Sequence, residues 1–282
     1  MVSMKDKENI KFLFWNINNK NLKNNIINIV KSSDIDIIIL LESKIDSIQF
    51  INDLKINGLQ FYENKSVIPQ SRIKIFSKFK NDEFKPFQDL NEKITIRKLK
   101  IKENKEILIA IVHLISKREF KNLEQYQEAT RYYQEIINAE KNSENDNTIV
   151  IGDFNMNPFE EGMIMTNCFN AVMSKEIAMK GSKKVQGKDY KYFYNPMWNL
   201  FGDNKDEPFG TYYYNSSGHI NYYWNIFDQV LLRPNLIQNF NHDSLKILNS
   251  DGIASLLNKS GIPNKSDLSD HLPVLFSITL GG

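Results

Sequence analysis

Two short motifs hold residues of the type that hydrolyse phosphate esters. Ser269-Asp270-His271-Leu272-Pro273 sets an acid beside an imidazole, and Ile151-Gly152-Asp153-Phe154-Asn155 sets an acid two residues before an amide. A phosphodiester repels nucleophiles by its own charge, so hydrolysis requires charge neutralisation, an oriented water and a stabilised leaving oxygen. Glu42 and Asp270 are hard oxygen donors suited to Mg²⁺ or Mn²⁺. Asn16 can add a neutral oxygen or fix a ligand in place. A zinc site is not expected, because no cysteine cluster and no histidine pair at ligand spacing occur.

These residues share one position in the chain's grammar: each ends, or nearly ends, an apolar run. Phe12–Ile17 reads as a buried strand that includes Asn16, and Ile35–Leu41 as a β-branched strand stopped by Glu42. Ile107–Ile115 carries His113, Thr148–Ile151 leads into Asp153, and Tyr222–Leu232 contains Asp228. The segment from Pro273 to residue 280 is the closing strand after His271. Strands with a wetter face are expected over residues 72–77 and 93–101. The apolar spacing predicts helices over residues 21–33 and 120–139. Thr211–Tyr214 is a further strand, joined to the one at Tyr222 through Ser216-Ser217-Gly218. Several neighbouring strands have no helix between them. The expected architecture is therefore α/β, with two packed, mostly antiparallel sheets and helices outside.

Composition narrows the function classes. The chain has 282 residues, 41% of them hydrophobic, with a net charge of +2 and a single cysteine, Cys168. A near-neutral charge does not mark a strongly basic nucleic-acid binder, so any basic patch is local. One cysteine permits no internal disulfide. No apolar run approaches the roughly 18 residues of a membrane span, and the N-terminal residues lack an export signal. No membrane insertion and a cytoplasmic location are the expectations. One domain over residues 1–282 is expected, with a Lys- and aromatic-rich insertion near residues 171–208.

The order of the motifs resembles the endonuclease/exonuclease/phosphatase superfamily, the DNase I-like proteins. The resemblance runs through Trp15-Asn16-Ile17, Leu41-Glu42, Val112-His113-Leu114, Gly152-Asp153-Phe154-Asn155, Phe227-Asp228-Gln229 and Ser269-Asp270-His271-Leu272-Pro273. It implies a four-layer α/β sandwich and a divalent-metal-dependent phosphodiesterase with Mg²⁺ or Mn²⁺. It also implies roles. Asp153 would orient and deprotonate the attacking water, and Asn155 would hold a phosphate oxygen or the water on the same side of an extended segment. His271 would donate to non-bridging oxygens, Asp228 would fix its tautomer, and His113 would stand across the phosphate. Asn16, Glu42 and Asp270 would form the metal side. The sequence departs from many relatives in having Phe227 and Gln229 around Asp228, and it names no clear acid for His113 beyond Glu83 or Glu92.

For the substrate, the segment from Lys175 to Trp198 offers lysines that can neutralise phosphates and rings that can stack bases. Lys183, Lys184, Tyr192 and Trp198 are its candidate contacts, and a nucleic acid is the favoured substrate. A lipid-headgroup, inositol-phosphate or nucleotide phosphodiesterase is the alternative, and a silent binding module a more distant one. Gly281-Gly282 reads as a plain tail.

Overall fold

The computed structural model describes residues 8–69, 71–102, 105–202 and 208–279. In chain order the elements are β1 (Asn9–Asn16), α1 (Lys23–Ser33), β2 (Ile37–Leu41), α2 (Ser47–Ile56), β3 (Tyr62–Glu63) and β4 (Lys74–Ser77). There follow β5 (Phe84–Asn91), β6 (Ile94–Lys102), β7 (Lys105–His113), α3 (Asn122–Ser143), β8 (Thr148–Asp153), α4 (Glu161–Ile164), β9 (Ala171–Val172) and α5 (Lys175–Ala178). The last part holds β10 (Ser182–Val185), β11 (Lys188–Lys191), β12 (Phe193–Tyr194), β13 (Tyr212–Tyr214), β14 (Tyr223–Asn225), β15 (Asp228–Leu232), β16 (Phe240–Ile247) and β17 (Val274–Thr279).

Two large mixed sheets dominate. One runs β16-β17-β1-β2-β4-β3 and the other β5-β6-β7-β8-β15-β12-β9. Side-chain alternation in the second sheet shows how they are layered. Ile107, Ile109, Ile111, Ile149, Ile151, Val230 and Leu232 belong to the core shared with the first sheet. Their neighbours Leu108, Ala110, Val112, Val150 and Leu231 pack with Ala129, Tyr132 and Ile136 of α3 on the outer face. This is the period-2 rule for a sheet buried on both faces. Helices α1 and α2 contribute Ile26, Val30, Phe50 and Leu54 to the core of the first sheet. No helix among the described residues is long and apolar enough to cross a membrane.

The topology gathers one set of strand ends. β1 and β2 pair parallel, as do β7 and β8. Their C-terminal ends therefore share one edge of the molecule. β17 is antiparallel to β1, and β15 to β8, so both of these strands begin at that edge.

The span read as one strand from Tyr222 to Leu232 is two. β14 pairs β13 in a separate hairpin, whereas β15 enters the second sheet. Ile226 and Phe227 make the crossing between them. β5, α2 and β16 have no counterpart in the sequence reading.

Candidate active site

Parity places three of the site residues. His113 continues the inward series Ile107, Ile109, Ile111, and Asp153 continues Ile149, Ile151. Asp228 opens β15 in the same phase as Val230 and Leu232. All three therefore face the first sheet at the edge where apolar packing stops. Their register partners agree, with His113 beside Asp153 and Asp153 beside Asp228.

From the first sheet, Asn16 reaches across the gap. Its Nδ2 donates to Asp153 Oδ2 at 3.0 Å and to Glu42 Oε1 at 3.2 Å, and its Oδ1 accepts from Asn18 N at 3.1 Å. Asn16 thus presents its donor to the carboxylates and orients them, rather than offering them an oxygen. Asn19 Nδ2 donates to the other oxygen of Glu42 at 3.1 Å. Asn18 Nδ2 donates to Asp270 Oδ1 at 2.8 Å, and Arg118 lies 3.6 Å from Asp270 Oδ2. Glu42, Asn18, Asn19 and Asn155 all have φ between 45° and 57°. Such left-handed conformations disfavour residues with a Cβ, asparagine least. Their clustering at one rim lets short loops turn back and point side chains inward.

His271 is nearly buried, and its Nδ1 stands 2.7 Å from Asp228 Oδ2. Its Nε2 is 3.8 Å from Asp153 Oδ2. Burial by itself disfavours the imidazolium, but Asp228 and Asp153 outweigh it and push the ring up to about 10. Burial raises the Asp228 carboxyl, with His271 opposing that rise. The pair binds its proton firmly, and the imidazolium–carboxylate form accounts for the short contact. His271 is fixed further by its backbone: its N–H donates to Ser269 Oγ at 3.1 Å, and its carbonyl accepts from Trp15 Nε1 at 2.8 Å.

His113 Nε2 lies 3.6 Å from Glu42 Oε1 across the rim and 3.9 Å from Asp153 Oδ2 on the adjoining strand. Glu83 is ruled out by register: Lys100 N donates to its carbonyl, and Lys100 pairs with Glu106 at the opposite end of the sheet. Glu92 is exposed in the β5–β6 turn. Asn155 is not in an extended segment. Its N–H donates to Asp153 Oδ1 at 2.9 Å, and its Nδ2 donates to Leu114 O at 2.9 Å, a turn that folds back beneath Asp153.

The two departures around Asp228 have structural roles. Gln229 is fully buried, donating to the carbonyls of Met156 and Ile226 and accepting from Asn195. Phe227 stacks on Tyr212 with centroids 5.2 Å apart. Tyr212 in turn packs against the His271 ring at 4.8 Å and takes a hydrogen bond from Arg118. Thr211 Oγ1 accepts from the backbone N–H groups of Phe227 and Asp228. Sequence reasoning did not single out Arg118, Thr211 or Tyr212. The one available signal was the run Thr211-Tyr212-Tyr213-Tyr214 facing the Asp228 segment.

The expected substrate contacts lie elsewhere. β12 pairs β15 at Tyr194 and Leu232, the end of β15 away from Asp228. Lys191, at the foot of the β10–β11 hairpin, pairs with Asp146 just before β8 begins. Lys183 and Lys184 are therefore exposed at the opposite end of the sheet from the rim. Tyr192 is buried in the core, and its carbonyl accepts from Arg233. Trp198 packs behind Phe159, which itself lines the groove in front of the rim. That groove encloses about 680 Å³ and reaches from Glu42, His113, Asp153, Asp270 and His271 to the β13–β14 hairpin.

Chemically, the rim joins four carboxylates with two imidazoles and one guanidinium. Asp153, Asp228 and His271 each offer a ligand atom within 4.8 Å of the others. His271 Nδ1 is already committed to Asp228 at 2.7 Å, however, so that nitrogen is not free for an ion. Glu42 and Asp270 are the remaining hard donors, and the amides of Asn16, Asn18 and Asn19 hold them in place, as outer groups hold metal ligands. This donor set fits a hard divalent cation.

Comparison with known proteins bears on the family and the fold. The profile of the Endonuclease/Exonuclease/phosphatase family matches residues 13–271. No curated protein matches the sequence. Among solved structures, a truncated Caenorhabditis elegans TDP2 is similar with a TM-score of 0.54 and 16% identity, over 96% of this chain and 98% of the other. The human Nocturnin catalytic domain with bound sulfate anion gives 0.53 and 15%, over 97% and 95%. D. rerio TDP2 complexed with single strand DNA product gives 0.52 and 13%, over 96% and 99%. At these identities the likeness is one of fold.

Proposed function

The chain belongs to the endonuclease/exonuclease/phosphatase family, and we propose that it is a divalent-metal-dependent nuclease acting on phosphodiester bonds of DNA or RNA. The observation that carries this reading is the convergence of both sheets on Asp153. Asn16, His113 and His271 come within 4 Å of its carboxylate, at the floor of the groove.

Asp153 acts as the general base. Its two oxygens are held by Asn16 Nδ2 and Asn155 N, which fixes the direction in which it accepts the proton of the attacking water. His271 carries its proton at both nitrogens; Nδ1 is spent on Asp228, and Nε2 donates to a non-bridging phosphate oxygen as charge grows there. His113, from the neighbouring strand end, donates from the other side. Asn155 acts here through its backbone, by orienting Asp153. Glu42 and Asp270 hold the cation, Mg²⁺ or Mn²⁺, with Asn16 and Asn18 orienting them. When bound, that ion neutralises phosphate charge and stabilises the leaving oxygen. The zebrafish relative's complex with a single strand DNA product supports nucleic acid as the substrate class.

The test is cleavage of labelled single- and double-stranded DNA and RNA in Mg²⁺ or Mn²⁺. Cleavage is expected to stop with EDTA and in the Asp153→Asn variant. Turnover of small phosphoesters with no cleavage of any polynucleotide would sink the nucleic-acid assignment.

A further inference from the structure

Beyond the rim, the groove has a wall that the chemistry above leaves unused. β13 and β14 form a hairpin outside both main sheets. Period-2 geometry puts Tyr212 and Tyr214 on the same face. Tyr212 touches the His271 ring, so Tyr214 carries that face one step further along the groove. Tyr222 lies across the hairpin and sets its ring edge-on to Phe159 at 5.3 Å. Phe159 rests in turn on Trp198 and Phe201. Tyr214 is 51% exposed, Tyr222 55% and Ile220 75%, yet all three line the groove. Large rings held half-exposed beside reactive groups mark a binding surface.

The occupant follows from the chemistry of the wall. Tyrosines with polar tips alternate here with Ser216 and Asn221, and Lys117 and Arg118 stand on the loop after β7 in the same groove. Lys117 pairs with Glu160, and the Arg118 side chain, 65% exposed, reaches the Tyr212 hydroxyl and Asp270. A flat, partly polar ring attached to a phosphate matches this sequence of surfaces. The ring faces of a base within a duplex are already stacked, so only an unpaired base can use the wall.

We propose that Tyr214 and Tyr222 form a stacking wall for an unpaired nucleobase next to the phosphodiester held at the rim, which makes single-stranded or locally unpaired nucleic acid the preferred substrate. This inference rests on the nuclease reading given above.

The test compares kcat/KM for a single-stranded oligonucleotide, a base-free tetrahydrofuran oligomer of the same length, a blunt duplex, and bis(4-nitrophenyl) phosphate. The single strand is expected to exceed both the base-free oligomer and the duplex. Tyr214→Ala and Tyr222→Ala should each lower the strand-to-base-free ratio about tenfold or more, chiefly through KM, and the Phe variants should restore it. Equal rates on intact and base-free strands, equal losses on both in the variants, or a duplex cut as fast as the strand would overturn the proposal. If the protein hydrolyses the aryl diester but no oligonucleotide, the nuclease reading itself fails. The wall is then judged by binding of a 2-aminopurine single strand to Asp153→Asn. Quenching that Tyr214→Ala abolishes supports the wall, and no quenching refutes it. Co-sedimentation with phosphatidylcholine vesicles that Tyr222→Ala abolishes would assign the wall to lipid and overturn the proposal.

Discussion

At the residue scale, the site works by crowding donors around a few carboxylates. In the proposed mechanism Asp153 takes a proton and His271 stabilises charge, so neither can replace the other. Asp153→Asn and His271→Ala are each expected to lower kcat by about 10²–10⁴, with substrate affinity retained. Single-turnover cleavage with circular dichroism as a folding control checks this; a loss below tenfold in either variant would remove that residue from the chemistry. These residues were legible because a charged or polar group ending an apolar strand is conspicuous. Asn16, Glu42, His113 and Asp153 carry that mark, and His271 stands just ahead of the apolar run that forms β17. Arg118 and Tyr212 carried none, since nothing local ties residue 118 to residue 212 or to Asp270. Lys183 and Lys184 were misleading for a related reason: lysine and aromatic content reports what a segment can bind, while strand register decides where it stands.

At the element scale, the site depends on how closely β7 and β8 approach. A Cβ on Gly152 would sit 1.9 Å from the backbone oxygen of Val112, with no side chain able to move aside. Gly152→Ala is therefore expected to exceed the ~1–3 kcal/mol of ordinary overpacking, because it pushes apart the register that ends in His113 and Asp153. Urea unfolding and residual activity should fall together. A second test concerns β5 and β6, where Asp89 and Arg97 are both buried and paired at 2.6 Å. Burial raises the Asp89 carboxyl, but donors from Arg97, Thr95 and Val67 N more than offset this and hold it below the usual carboxylate range. Its contribution is therefore complete above the unfolded value of about 3.9 and lost as pH falls through the lower folded one. Asp89→Asn should cost roughly 3–5 kcal/mol at pH 7, by leaving a buried guanidinium unpaired. The gap to the parent protein should narrow below pH 4 in urea titrations; a gap independent of pH refutes the pairing. The sequence hid β5, α2 and β16 for identifiable reasons. β5 contains Pro86 and shifts register twice, and β16 bulges between Asn241 and Lys246, so neither keeps a clean period of two. α2 buries only Phe50 and Leu54 while exposing Ile48 and Ile56, which blurs its apolar stripe.

At the scale of the whole molecule, the two sheets meet at a rim that is overcharged without a cation. Glu42, Asp153, Asp228 and Asp270 converge from both sheets, and hydrogen bonds such as Asn16 to Asp153 and Asn18 to Asp270 tie the segments together. Those bonds are made within the chain, so chelation should stop activity while leaving the fold intact. A cation that binds only the folded state must add stability, about 2.7 kcal/mol when its concentration is one hundred times Kd. Mg²⁺ or Mn²⁺ is accordingly expected to raise Tm by several degrees. The rise should vanish in Glu42→Gln and Asp270→Asn, whose remaining donors are too few, and persist in Tyr214→Ala, which lies outside the donor set. Thermal melts across a metal titration decide the matter without any substrate. An unchanged Tm in the parent protein would mean that the folded chain holds no cation, and an equal rise in the Glu42 and Asp270 variants that these two acids do not hold the ion. The site would then have to be sought among Asp153, Asp228 and His271, where binding must first displace the proton that His271 shares with Asp228.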